Sequence, residues 1–230
     1  MIVNDFDERY APKTIGDIVF GDDIGRDMIL DIVDGLNPFP SNGKNGILLY
    51  GTPGTGKSAL ARLLPDAIEA VKTGERADER YEHVQVGNNG SALMGKIQHQ
   101  AILIPHCSQH YFVLDEVDNL NELSMASLKS TMNIPNTVFV LTTNHLNKID
   151  EGVKSRCHCI PFNAASPEKW LPLARRILAD ASMSSIDEQT LLKLITAQDG
   201  DARAILEAIK ALIRRVMRAR AAQAALGVAA

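Results

Sequence analysis

The sequence predicts an α/β protein in which a parallel sheet flanked by helices is followed by a small helical domain. Short apolar runs alternate with helix-like patterns over the first two thirds of the chain, as expected for a parallel sheet. A glycine-rich turn joins one of these runs, residues 46–50, to a helical pattern that starts at Lys57. Beyond residue 163 the pattern is helical. We therefore predict two domains, 1–163 and 164–230.

The individual elements are predicted from periodicity and from the residues that interrupt it. The predicted strands are 47–50, 83–86, 111–114, 137–142 and 159–162. The predicted helices are 24–36, 57–71, 92–103, 123–132, 149–154, 167–181, 187–197 and 201–224. Residues 9–13 are expected to be extended, because Pro12 disfavours a helical conformation at Ala11. The alanine-rich tail, 221–230, is expected to fray.

Composition argues for an intracellular protein that does not cross a membrane. No apolar run is long enough for a membrane span, and the acidic N-terminus lacks the basic start of a signal peptide. Three cysteines, an odd number, fit a reducing compartment. These features predict an ordinary soluble globular protein.

Charge is unevenly distributed, although the net charge is only −4. After residue 201 the chain carries one acid, Glu207, and the bases Arg203, Lys210, Arg214, Arg215, Arg218 and Arg220. A basic helix can hold a nucleic-acid backbone or an acidic partner. Taken alone, a solvated helix face is the commoner explanation.

The glycine-rich turn matches the pattern G-x-x-x-x-G-K-[ST], which binds phosphate. Glycines allow consecutive backbone N–H groups to curl around an anion, and the N-terminus of the following helix adds positive partial charge. Lys57 would reach the β- and γ-phosphates of a nucleotide, and the Ser58 hydroxyl would bind Mg²⁺. The predicted nucleotide-binding residues here are Gly51, Thr52, Pro53, Gly54, Thr55, Gly56, Lys57, Ser58 and Ala59.

Two carboxylates follow the buried strand 111–114, at the strand end where ligands bind in open α/β sheets. We predict that Asp115 holds Mg²⁺, directly or through water, and that Glu116 orients and polarises the attacking water. An acidic pair after a strand is usually solvated. The upstream phosphate loop favours the catalytic interpretation.

Three further polar residues are candidates for the same chemistry. Asn144 ends the next strand and would hydrogen-bond the water or the γ-phosphate, although it would also suit a turn. Arg156 follows a short helix and would stabilise charge on a transferring phosphoryl group, in its own subunit or in the next. Arg203 lies near the start of the last helix and is a candidate phosphate contact or an exposed helix arginine.

In this order and spacing the motifs resemble those of the AAA+ ATPases, and within them the clamp-loader small subunits of the replication factor C type, over about residues 5–215. GTPGTGKS is similar to the Walker A loop, FVLDEVD to the Walker B strand, and TTN to the segment that ends at sensor 1, Asn144. SRC matches the clamp-loader arginine-finger motif, and GDARAIL resembles sensor 2, with Arg203 as its arginine. ERYAPKTIGDIVFGD resembles the adenine-pocket segment, which implies adenine near Tyr10, Pro12 and Val19.

The resemblance implies an ATPase that uses ATP and Mg²⁺, acts on DNA in replication or repair, and forms homo- or hetero-oligomers with ATP sites at subunit interfaces. A sliding clamp or a replicative helicase is the expected partner, and Lys129 is a candidate DNA contact. The chain departs from the family in having DEVD for DEAD and in ending soon after the lid, before the usual collar domain. The segment 83–89 aligns poorly, which leaves Asn88 and Asn89 as candidates for the glutamate switch.

Two alternative functions stay open. One is a helicase-loader-like or DNA-remodelling AAA+ ATPase, which the missing collar favours. The other is a scaffold that assembles with nucleotide and has little turnover, against which Glu116, Asn144 and Arg156 argue together.

Overall fold

The computed structural model describes residues 5–227, with side chains up to residue 223, and these residues form two compact units. The strands are β1 (Gly46–Tyr50), β2 (Glu79–His83), β3 (His110–Asp115), β4 (Thr137–Thr143) and β5 (Cys157–Pro161). The helices are α1 (Phe6–Tyr10), α2 (Asp23–Val33), α3 (Lys57–Thr73), α4 (Ser91–Ala101), α5 (Glu122–Thr131), α6 (Glu151–Ser155), α7 (Pro167–Asp180), α8 (Glu188–Thr196) and α9 (Ala202–Gly227).

The first unit, Lys13–Asn163, contains a five-stranded sheet in the order β2-β3-β4-β1-β5. All four neighbouring pairs are parallel, so all five strands end at one edge, which we call the carboxyl edge. Every residue of β3 and β4 is buried, as expected for strands covered on both faces. The predicted α/β fold class, a parallel sheet flanked by helices and followed by further helices, is confirmed.

Alternate side chains of each central strand supply the two cores of this unit. Leu48, Phe112 and Leu141 pack in a cluster with apolar residues of α4 and α5. Ile47 and Val113 pack on the opposite face with apolar residues of α2 and α3. The central strands therefore lack the alternation of polar and apolar residues that marks a half-exposed strand.

The largest error in the predicted elements concerns β2. The sequence predicts a strand at 83–86, whereas the strand is Glu79–His83 and its residues are half-buried or exposed. Because β2 lies at the edge of the sheet, pairing with β3 fixes its position through backbone hydrogen bonds, with Glu79 opposite Tyr111. A polar edge strand of this kind carries little apolar pattern.

The second unit comprises the described residues up to Pro12 and those from Ala164 onward. Arg9 and Tyr10 belong to the short helix α1 rather than to an extended segment, while Ala11 is extended as predicted. Phe6 and Tyr10 are buried, and the Tyr10 hydroxyl donates to Asp180 Oδ2 at 2.9 Å. These contacts join the N-terminal segment to α7, which the sequence did not predict.

The basic last helix is partly structural. Lys210 is buried, with its Nζ 2.7 Å from Asp7 Oδ2. Arg214 pairs with Glu207, and Arg220 donates to the Ser182 carbonyl oxygen. Part of the predicted basic face therefore holds this unit together.

α9 continues to Gly227, so the helix extends into the tail that was expected to fray, and residues 228–230 of that tail lie outside the described part of the chain. Among the described helices, none combines the length and apolar character that a membrane span needs.

Candidate active site

The phosphate loop follows β1 at the carboxyl edge and leads directly into α3. Gly51, Gly54 and Gly56 have φ angles of 148°, 78° and 101°, a region that favours glycine. At Gly51 there is also no space for a side chain, since a Cβ would stand 2.5 Å from the Phe162 carbonyl oxygen. Two independent constraints, conformation and close approach, thus explain the glycines of the motif.

Lys57 is buried at the first position of α3, and its ammonium lies against the loop. Its Nζ donates to the carbonyl oxygens of Gly51 at 3.0 Å and Thr52 at 2.6 Å. The single proton of the Thr55 hydroxyl is shared between two carbonyl oxygens, that of Thr52 at 3.0 Å and that of Phe162 at 3.1 Å. The loop thus holds a cation at the N-terminus of a helix, where positive partial charge is already concentrated.

Asp115 ends β3 beside this loop and is 5% exposed. Its Oδ1 accepts from Thr142 Oγ1 at 2.5 Å and from Ser58 Oγ at 2.8 Å, and its Oδ2 accepts from the Tyr81 hydroxyl at 2.8 Å. Burial alone would raise the pKa of Asp115, but these hydrogen bonds outweigh burial and hold the pKa below its ordinary value. Asp115 is therefore a carboxylate at neutral pH.

The Asp115 and Ser58 oxygens suit Mg²⁺ as ligands. Mg²⁺ prefers oxygen donors and is usually held by one or two carboxylates together with substrate phosphates and water. Ser58 Oγ and Asp115 Oδ1 are only 2.8 Å apart and stand next to the glycine loop. Both predicted metal ligands are therefore brought together, and their chemistry fits this ion.

Glu116 directly follows β3, and its side chain is 40% exposed. Its backbone is left-handed, with φ 60° and ψ 50°, and its N–H donates to Thr142 Oγ1 at 2.9 Å. Its Oε2 accepts from Asn119 Nδ2 at 3.3 Å and lies 3.8 Å from His83 Nε2. The carboxylate thus lies at the same edge as Asp115 but remains accessible.

His83 is a site residue that the sequence did not identify. It ends β2 opposite Asp115 in the strand register, and its Nδ1 lies 3.6 Å from Asp115 Oδ2. The two candidates for the glutamate switch bond neighbours of the site: Asn88 donates to Glu82 and to the His83 carbonyl oxygen, and Asn89 donates to the Asn119 carbonyl oxygen. Only a correct register for β2 would have revealed His83.

Asn144 follows β4, which lies between β1 and β3. Because all three strands end at the carboxyl edge, Asn144 is at the same edge as the phosphate loop and as residues Asp115–Asp118, which we call the acidic turn. Its side chain is half-buried. Its position agrees with the predicted location.

Arg156 lies at the opposite, amino edge of the sheet. It immediately precedes β5, and its carbonyl oxygen accepts from Gly46 N at the start of β1. Its Nε donates to Asn133 Oδ1 at 2.9 Å, and its Nη1 donates to the Gly152 carbonyl oxygen at 2.7 Å. The five residues of β1, a length of about 16 Å, separate this edge from the phosphate loop. Within one chain the sheet does not bring Arg156 to the loop.

The other predicted nucleotide contacts are divided between the two units. Val19 is half-buried in the first unit. Tyr10 and Pro12 belong to the second, where the Tyr10 ring packs edge-on against Phe6. Arg203 is exposed near the start of α9, and its backbone N–H donates to Asp201 Oδ1. Their contact with a nucleotide stays a prediction.

Comparison with known proteins gives a family and a fold. Three structures of RuvB variants from Thermotoga maritima are similar to this chain, with TM-scores of 0.65–0.66 and sequence identities of 13–15%. The similarity covers 87–88% of this chain and 64–65% of the RuvB chain, so this chain spans just under two thirds of that protein. At this identity the similarity shows the fold alone. No curated protein matches the chain.

Apart from Gly46, the first residue of β1, the sheet, the phosphate loop and the acidic turn lie within residues 47–162. These residues match the ATPase family associated with various cellular activities (AAA). The chain therefore belongs to the AAA family, whose phosphate-loop domains are nucleotide-hydrolysing ATPases.

Proposed function

We propose that this protein binds ATP with Mg²⁺ at the phosphate loop and hydrolyses it. The observation that carries the proposal is the 2.8 Å contact between Ser58 Oγ and Asp115 Oδ1, next to a loop that encloses the Lys57 ammonium. Mg²⁺ at these oxygens would supply Lewis acidity toward the phosphate oxygens. The contact joins the two sequence motifs into one site.

The residues of the site divide into binding and chemistry. Lys57 and the N–H groups of the loop hold the phosphates of the bound nucleotide. Glu116, which is accessible beside Asp115, polarises the attacking water, and Asn144 orients that water or the γ-phosphate. His83, whose Nε2 lies 3.8 Å from Glu116 Oε2, is a further candidate for the glutamate switch beside Asn88 and Asn89.

This separation of nucleotide-binding residues from catalytic residues predicts different defects for two substitutions. Lys57→Ala should lose tight ATP binding, because it removes the cation that contacts the ground-state phosphates. Glu116→Gln should bind ATP normally and lose turnover, because only the step that uses water is affected. Nucleotide affinity and steady-state hydrolysis measured on both variants test the proposal. Normal turnover in Glu116→Gln would remove Glu116 from the site.

We further propose that the active site is completed between subunits. Arg156 lies at the edge of the sheet away from its own loop, which supports a role at the nucleotide of a neighbouring subunit. An arginine there would stabilise the charge that develops on the transferred phosphoryl group. The protein would accordingly be a homo- or hetero-oligomer.

The remaining nucleotide contacts are proposals based on the resemblance to clamp-loader small subunits. Tyr10, Pro12 and Val19 would surround the adenine, and Arg203 would contact the phosphates as sensor 2. In this proposal residues 1–163 act as the nucleotide-binding domain and residues 164–230 as a helical lid.

A role on DNA, as a clamp-loader-like ATPase in replication or repair, is the biological function we propose. A sliding clamp or a replicative helicase would be the partner, and helicase loading or DNA remodelling is the alternative activity. Two arginines of α9, Arg215 and Arg218, are exposed and three positions apart, which favours contact with a phosphate backbone. Lys129, the other candidate contact, is 3.4 Å from Asp150 Oδ1.

Salt dependence tests the DNA role. Affinity for DNA in the presence of ATP should fall steeply with salt, because phosphate contacts release counterions. The double variant Arg215→Ser/Arg218→Ser should bind more weakly and lower the salt slope by about two, roughly one for each phosphate contact. Removing two exposed charges elsewhere, with Arg76→Ser/Lys193→Ser, should leave the slope unchanged. An affinity that does not change with salt would exclude a role on DNA.

A further inference from the structure

Thr142 lies one strand away from the acidic turn and contacts both of its first two residues. It is the sixth residue of β4, is 2% exposed, and lies next to β3 in the sheet. Its hydroxyl donates to Asp115 Oδ1 at 2.5 Å and accepts the Glu116 N–H at 2.9 Å. A hydroxyl offers one donor and two acceptor lone pairs, so a single oxygen makes both bonds.

The bond to Glu116 coincides with an unusual backbone conformation. Glu116 has φ 60° and ψ 50°, which is uncommon for a residue with a side chain and persists only where the surroundings hold it. The N–H at this position points to Thr142 Oγ1. The same hydroxyl that bonds the Asp115 carboxylate therefore also bonds the backbone of the residue that takes this conformation.

The other hydroxyl donors to the turn each make at most one of these two contacts. Ser58 and Tyr81 donate to Asp115, and in the described part of the chain neither is hydrogen-bonded to Glu116. Thr143, next to Thr142, donates to Asp118 at 2.8 Å. Thr142 thus links the predicted metal ligand to the predicted water-activating residue.

We propose that Thr142 is a positioning residue that fixes the Asp115 carboxylate and the Glu116 backbone relative to each other. This inference rests on the proposed ATP hydrolysis. Thr142 acts through these two residues and not on the substrate, so its hydroxyl matters for turnover and not for nucleotide affinity.

Thr142→Val tests this, because valine keeps the shape and β-branching of threonine and removes only the hydroxyl. We expect turnover at saturating ATP to fall roughly 10- to 100-fold, the usual effect of losing a group that orients a metal ligand. ATP affinity should stay within about twofold of the wild type. Thr142→Ser keeps the hydroxyl and should restore turnover. Thr131→Val is the matched control, since Thr131 is also buried but bonds within its own helix.

Amide hydrogen exchange in the nucleotide-free protein gives a readout that does not require activity. The Glu116 amide should exchange roughly tenfold faster in Thr142→Val, as expected when one hydrogen bond is lost. It should stay protected in Thr142→Ser and in Tyr81→Phe, which removes a donor from Asp115 and leaves the Glu116 bond intact.

The outcomes separate this inference from the proposed function. Loss of turnover with faster Glu116 exchange in Thr142→Val, both restored by serine, supports the positioning role. Wild-type turnover in Thr142→Val, an equal loss in Thr142→Ser, or unchanged Glu116 exchange would overturn it. If the wild type and Thr131→Val both fail to hydrolyse ATP, the proposed function fails, while the exchange measurement still decides whether Thr142 holds Glu116.

Discussion

β3 carries a buried carboxylate cluster at each of its ends, and the two clusters are similar in chemistry. Near its start, the Tyr111 hydroxyl donates to Glu69, which is 1% exposed and also accepts from Ser108 and Thr73. At its end, Asp115 accepts from three hydroxyl groups and is 5% exposed. In both cases burial raises the pKa, and the hydrogen bonds outweigh it and bring the pKa below its ordinary value.

The clusters differ in what surrounds them. The partners of Glu69 at the amino edge close around it, whereas Asp115 stands beside the phosphate loop, with Glu116 and His83 nearby. A buried carboxylate with a shifted pKa is therefore not enough to identify an active site, since structural networks produce the same shift. Its position at the carboxyl edge beside an anion-binding loop distinguishes Asp115 from Glu69.

The largest expected effect concerns Arg156. It lies at the amino edge, as the Glu69 cluster does, but we propose that it acts in catalysis. Arg156→Ala should lower turnover by about 10³–10⁵, the usual contribution of an arginine finger. For the wild type, turnover per subunit should rise with protein concentration, because association supplies the missing cation. Full activity of dilute monomer would contradict a site between subunits.

Mixing two inactive variants decides whether Arg156 acts on a neighbouring subunit. Glu116→Gln lacks the water-activating group but can donate Arg156, and Arg156→Ala keeps an intact pocket. Their mixture contains complete sites, so hydrolysis should partly return. If both variants assemble together and the mixture stays inactive, Arg156 does not act in trans.

The next largest effect distinguishes the Asp115 carboxylate from the Glu69 carboxylate. Asp115→Asn should reduce hydrolysis roughly 100-fold or more, because it replaces the carboxylate that we propose binds Mg²⁺. A bound metal ion supplies several kcal/mol of transition-state stabilisation. Glu69→Gln should leave hydrolysis per folded molecule unchanged and lower the free energy of unfolding by about 1–3 kcal/mol, since its amide cannot satisfy every donor. Hydrolysis and urea unfolding measured on both variants make the comparison. A large loss of turnover in Glu69→Gln would show that the clusters are functionally equivalent.

The smallest effect is a difference in acid sensitivity. Because the pKa of Glu69 is lower in the folded than in the unfolded protein, its contribution to stability is present above about pH 4.5 and is lost as the pH falls through the folded-state pKa. Glu69→Gln has no proton to gain there. The gap in unfolding free energy between the wild type and Glu69→Gln should thus narrow between pH 6 and pH 3, in unfolding measurements at constant ionic strength. If the difference in unfolding free energy instead grows as the pH falls, the pKa of Glu69 is raised on folding and not lowered.

The sequence by itself determined the fold class, the phosphate loop and the polar residues at the ends of β3 and β4. These features are local: a buried strand, a glycine turn and a helix start are encoded within Gly46–Leu60. The carboxylates and Asn144 could be placed because parallel strands end at one edge whatever their order. Strand order and register were not needed for these predictions.

Only the tertiary structure decided the contacts that depend on register and on the packing of distant segments. The bonds from Thr142 and Tyr81 to Asp115 join residues 27 and 34 positions apart, and His83 reaches the acidic turn only because β2 starts at Glu79. Lys210 was counted with the other bases of the last helix, yet it is buried, and its Nζ bonds Asp7, 203 positions away. Hydroxyl groups and edge strands contribute little to the hydrophobic periodicity of the sequence. Their partners are fixed by strand pairing and by packing between distant segments, which a local pattern does not contain.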